Sequence, residues 1–166
     1  YKKIAIVTFD FLLSNYFMKG QIKVISNRGW FHKRNERNFF GEQPIEIAYT
    51  ILALDLFYQV IKKRKYKDQL KIAFSWFMGN NHLRQVMYNP ANGAGYDGLE
   101  QTHVNINQGA ESTLCYLLAR QVIEKYAPIK NEPVCDKRNP VSPLVSKIIT
   151  KSLHKPAVMA NQNLLK

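Results

Sequence analysis

Three short stretches of this chain concentrate side chains able to do chemistry. The first, residues 25–46, opens with ISNRGWF and closes with FFGEQPIE. Arg28 close to Trp30, with Glu42 and Gln43 at the mouth of a helix, suits a sugar: the indole stacks on an apolar pyranose face while guanidinium, carboxylate and amide bond hydroxyls. The same residues read equally well as a core aromatic, a surface cation and an acid favouring a helix N-terminus. The second stretch, residues 76–83, is WFMGNNHL. Gly79 ends a helix there, so Asn80 and Asn81, just beyond Trp76, bond either ligand hydroxyls or the carbonyls that the helix end leaves free. A lone His82 makes no metal site. The third, residues 96–114, sets Asp97, Asn105, Asn107, Gln108 and Glu111 around the start of a further helix. Two carboxylates among amides are what acid/base work on a glycosidic bond requires. An Asx turn at Asp97 and a dipole-stabilising Glu111 account for the pair as well, and composition does not choose.

The elements that must position these residues follow from the apolar spacing. Residues 3–19 carry Ile6, Phe9, Leu12, Leu13 and Phe17 at helical intervals, and Gly20 stops them, although residues 2–7 alone fit a strand equally. Residues 21–41 form a long irregular loop with turn signals at Ser26, Asn27 and Gly29, carrying Arg28, Trp30, His32, Lys33, Arg34 and Arg37. Pro44 opens a second helix over residues 44–63, with Ile45, Ala48, Leu52, Leu56 and Val60 behind it. Leu70, Ala73, Phe74 and Phe77 repeat the period up to Gly79, which predicts an αα-hairpin. Residues 80–108 form a second long loop, rich in Asn and Gly. A fourth helix then starts near Gly109 and ends about Tyr126, before Pro128. Beyond it Pro128, Pro133, Pro140, Pro143 and Pro156 punctuate the sequence, and residues 145–153 alone fit a short amphipathic helix. The expected organisation is an all-α domain over residues 1–126 and a basic, Pro-punctuated tail over residues 127–166. Both long loops follow a helix C-terminus and precede a helix N-terminus, so in a ring of hairpins they converge on one end.

Composition narrows the function classes. With 166 residues and 46% hydrophobic content, the chain has enough apolar mass for one core. Cys115 and Cys135 sit in no zinc spacing and are too few for a disulfide framework, which fits a reducing, cytoplasmic setting. The net charge of +12 is spread out: 17 Lys and Arg against 10 Asp and Glu up to Tyr126, and 7 against 2 beyond it. Its densest run, residues 62–67, lies where one helix ends and cations suit the dipole, so no nucleic-acid partner is expected. No apolar run approaches the roughly 20 residues of a membrane span, because Lys62, Lys63 and Arg64 interrupt the longest one. The sequence opens on Tyr1 without an initiator Met, which leaves the natural start, and a removed signal peptide, open. No dinucleotide, Walker, nucleophile-elbow, HExxH or EF-hand motif occurs, so no cofactor or metal is expected.

The strings NRGW, the QP-containing helix start, WF followed by GNN, the Tyr-Asp-Gly-Leu loop and NQGAESTL together resemble a known family. This is the C-terminal helical region of bacterial family 4 glycosyltransferase-type proteins, itself similar to the six-hairpin (α/α) toroids that include glycoside hydrolases and sugar epimerases. The resemblance spans about residues 11–126, with NQGAEST its most specific part. It implies a partial (α/α) toroid that binds or processes saccharide for glycan or polysaccharide synthesis. Arg28, Trp30, Glu42, Gln43, Trp76, Asn80, Asp97, Asn105, Gln108 and Glu111 would surround the saccharide, and Asp97 and Glu111 would be the acid/base pair if the chain is a hydrolase or epimerase fragment. A full ring needs about six hairpins and this chain offers about two. It therefore implies a partner, either a glycosyltransferase chain or the rest of the ring, and an isolated chain without activity. A fragment of a six-hairpin hydrolase or epimerase is the alternative; a basic interaction module is the third reading.

Overall fold

The computed structural model of the chain describes residues 1–29, 31–32 and 36–126. The residue 127–166 tail, Cys135 and the 145–153 helix expected in it lie outside the described residues, as does Trp30. Four helices carry the described part, so the chain is mostly α. Helix α1 (Lys2–Tyr16) ends three residues earlier than expected, because Phe17 turns extended (φ −101°, ψ 116°). The chain then makes a tight hairpin, β1 (Phe17–Met18) against β2 (Gln21–Ile22), around Lys19 and Gly20 at φ 50° and 78°. Gly20 thus serves a hairpin turn rather than a helix stop.

Helix α2 (Pro44–Ile61) starts at the expected proline and stops where Lys62 adopts the left-handed conformation, φ 62°. Helix α3 (Arg64–Ser75) follows after two residues, and a run of tight turns over residues 76–79 extends it to Gly79. The cationic run 62–67 is therefore the α2–α3 corner, as its charges suggested. The second loop is not irregular throughout, since β3 (Gly98–Leu99) pairs antiparallel with β4 (Val104–Asn105). Helix α4 (Ala110–Glu124) closes the described chain.

The core lies where α2 packs on both α3 and α4. Ile47, Ile51 and Leu54 of α2 meet Tyr66, Leu70 and Phe74 of α3 and Tyr116, Ala119 and Val122 of α4, all buried. By length and composition alone α2 is apolar enough to cross a membrane, contrary to the sequence expectation. Here its buried face includes Thr50 and Asp55 and is taken up by α3 and α4. Asp55 ties the later half of α2 to the C-terminal end of α4: Tyr126 and Lys125 (3.1 Å), with Gln59 of α2 itself (2.9 Å), all donate to its carboxylate. Helix α1 is held differently, by Asp10, which accepts from the Tyr66 hydroxyl at 3.0 Å and pairs with Lys65 at 2.6 Å.

Candidate functional site

The end of the bundle where α3 finishes and α2 and α4 begin gathers both long loops. Their backbones interlock there. Glu42 and Leu99 exchange N–H to carbonyl bonds of 3.1 and 2.8 Å, Gly41 donates to Leu99 (3.2 Å), and Asn27 donates to Gly41 (3.1 Å). Gly41 is needed at this crossing. Its φ of +89° is left-handed, and a β-carbon there would stand 2.8 Å from the Asn27 side-chain oxygen. Ser26, buried beside it, donates to the Phe40 carbonyl and accepts from the Arg28 N–H at 2.9 Å.

At the centre of this end lies Glu42, 1% exposed. The indole N–H of Trp76 donates to its Oε2 at 3.0 Å, and the Lys23 ammonium donates to Oε1. That ammonium also stands 3.1 Å from Nδ1 of His82, whose Nε2 is 2.9 Å from the Glu100 carbonyl. The arrangement assigns the His82 proton to Nε2, which donates to Glu100, while Nδ1 accepts from Lys23. Burial, reinforced by the Lys23 charge, holds the His82 pKa below its ordinary range. Burial pushes the Glu42 carboxyl above the usual range, although its bonds from Lys23 and Trp76 oppose this. Phe40 closes the cluster, edge-on to His82 and under the Lys23 ammonium at 5.2 Å. Arg37 ties the first loop down by donating to the Asn15 and Lys23 carbonyls.

The residues singled out from sequence divide into holders and rim. Glu42 and Trp76 are both buried, so they hold the loops and present no face to a ligand. Asn80 is occupied with its neighbours, donating to Ser75 Oγ (2.9 Å) and Gly20 O (3.1 Å) and accepting from Gln21 (3.1 Å). Asn81 serves the freed helix-end carbonyls, bonding Trp76 O at 3.0 Å. Gln43 is the N-terminal flanking residue of α2 and makes no side-chain cap bond. Asp97 spends Oδ1 on the Gly109 N–H at 2.9 Å, just before α4, so it caps the chain entering that helix rather than closing a local Asx turn. Glu111 is exposed in the first turn of α4. Arg28 pairs with Glu100 at 2.6 Å on the surface; Asn105 accepts from the Asn107 N–H at 3.2 Å, and Gln108 accepts from Asn92 at 2.8 Å. Sequence reasoning missed Lys23, Glu100 and the part played by His82. His82 and Glu100 lie within the second and third stretches and Lys23 just before the first, but only tertiary pairing across 19 to 72 residues gives them their part. Among the described residues no group of His, Cys, Asp and Glu is arranged to hold a metal ion.

Compared with protein-family models and with curated proteins, the sequence matches none.

Proposed function

We propose that this chain is a saccharide-binding helical domain of a bacterial glycosyltransferase system for glycan synthesis, a cytoplasmic piece of an (α/α) toroid. It would work beside a glycosyltransferase chain or the remaining hairpins of the ring. The observation that supports this best is the locking of both long loops, through Glu42, onto one end of the helices. Loops fixed in this way present polar groups at constant positions, which recognition of hydroxyls demands. The ligand-facing groups in this reading are those of the rim: Arg28, Glu100, Asn92, Asn105 and Gln108. Glu42, Trp76 and Lys23 act beneath them. The resemblance over residues 11–126 supports the same end of the molecule. Need of a partner is supported by the apolar residues left exposed on α1, α2 and α4. The hydrolase or epimerase alternative asks Asp97 for acid/base work, but that carboxylate already accepts the Gly109 N–H, so this reading has the weaker support.

Thermal melts of the chain with a panel of oligosaccharides test the proposal, because a ligand that binds only the folded state raises the midpoint. A rise that Arg28→Ala removes, with the unliganded melt unchanged, is the expected result. Indifference to every saccharide would sink it.

A further inference from the structure

A cleft of about 370 Å³ opens between α1 and α2, away from the rim just described, with Phe9, Tyr16, Tyr49 and Glu46 among its lining residues. That volume is within the range of small-ligand pockets, roughly 300–1,000 Å³. Glu46 is the third residue of α2. Burial, with the Glu111 charge adding to it, raises its pKa above the ordinary carboxylate value, although the backbone N–H groups of Glu46 itself and of Gln43 oppose this as in a helix-capping arrangement. Its Oε2 is buried and has no hydrogen-bond partner. The cleft is therefore lined by one carboxylate, with an oxygen that no donor satisfies, and by aromatic walls. Phe9 is braced against Phe57, ring centroids 4.2 Å apart, and Tyr49 is 63% exposed at the mouth.

We propose that this cleft binds a small organic ammonium ion, with Glu46 as counter-charge and Phe9, Tyr16 and Tyr49 as aromatic walls. A buried carboxylate oxygen without a partner is costly, and a cation removes that cost. Ring faces attract the same charge through their quadrupoles. A metal ion fits poorly, since one lining carboxylate supplies too few oxygen ligands. A neutral polyol fits poorly too: the Thr50 hydroxyl is spent on the Glu46 carbonyl at 2.7 Å, and the remaining wall is mainly apolar. The chain's overall charge of +12 repels cations, so attraction must come locally, from Glu46 and the ring faces.

The test is a calorimetric or NMR titration of the full chain with choline and with its neutral tert-butyl analogue. Choline is expected to bind about tenfold or more tightly than the analogue, the margin a desolvated cation–π contact and a counter-charge supply. Glu46→Gln retains the capping reach and is expected to reduce choline affinity by a similar factor. Tyr49→Ala, at an exposed position, is expected to weaken choline binding several-fold while leaving the analogue unchanged. Equal affinity for the analogue, an unchanged Glu46→Gln, or no choline binding at millimolar concentration overturns the proposal. It stands apart from the saccharide reading, because Arg28→Ala is expected to leave the choline titration unchanged.

Discussion

Among individual residues, Glu42 carries the most. Glu42→Ala leaves the Lys23 ammonium, only 15% exposed at its side chain, without its partner and the Trp76 indole N–H without an acceptor. The expected cost is about 3 kcal/mol, measured by urea denaturation, since losing one partner of a buried pair strands the other. Trp76→Phe removes one donor to the same carboxylate and is expected to cost about 1–2 kcal/mol. The cluster also links stability to pH, with opposite signs for its two titrating groups. Glu42 has a folded pKa above its ordinary 4.5, so its contribution is complete below 4.5 and is lost as pH rises through the folded value. His82 has a folded pKa below its ordinary 6.5, so its contribution is complete above 6.5 and is lost as pH falls through the folded value. Urea midpoints followed downward from pH 6.5 are expected to fall in the wild type and to fall less in His82→Gln. Parallel curves would show that His82 is not the titrating group.

For the helices, the junctions matter more than the helical stretches. The α2–α4 clamp rests on Asp55, whose burial would raise its pKa but whose bonds from Tyr126, Gln59 and Lys125 lower it instead. The Tyr126 phenol, partly buried and bonded to that carboxylate, is pushed up to about 12. A tyrosine with a raised pKa stabilises the fold below its ordinary 10.0 and loses that contribution as pH climbs through about 12. Burial also raises Tyr16, Tyr66, Tyr88 and Tyr116, so spectroscopic titration is expected to show a group of late-ionising tyrosines whose amplitude Tyr126→Phe reduces by one and from which Asp55→Asn shifts one back towards 10.0. The start of α4 depends on a close approach: a β-carbon at Gly109 would lie 2.8 Å from the Asp97 carboxylate. Gly109→Ala is therefore expected to displace Asp97 and cost about 1–2 kcal/mol, read from the thermal midpoint.

The molecule as a whole shows helices with one face too many. Ile4, Val7 and Phe11 line one stripe of α1; Leu56 and Val60 line another on α2; Leu114 and Leu117 stand out on α4. Spacings of three, four and seven residues are those by which one helix receives another. These stripes fit the proposal that further helices complete a ring, and they make the isolated chain adhesive. Phe11→Lys is expected to leave stability within about 0.5 kcal/mol of wild type, because the side chain is 71% exposed. It should nevertheless reduce dye binding to exposed apolar surface and any concentration-dependent association; an unchanged dye signal would show that the stripe is not the adhesive surface.

By itself the sequence marks three of the four helices closely, and α1 with a C-terminus three residues too late. Pro44, the cationic corner at residues 62–67 and Gly109 mark their boundaries through local chemistry that acts within a turn or two. It also showed Glu42, Trp76 and Asp97 as residues of consequence, since they sit among aromatic, amide and glycine neighbours. Whether each touches a ligand or holds the fold depended on burial and on partners far along the chain. Trp76 and Glu42 are joined across 34 residues, Asp97 is taken by Gly109, and Lys23 and His82 enter the cluster from opposite loops. Only the tertiary structure decided this, because a side chain's periodicity records which way it faces along its own helix and carries nothing about the group that meets it there.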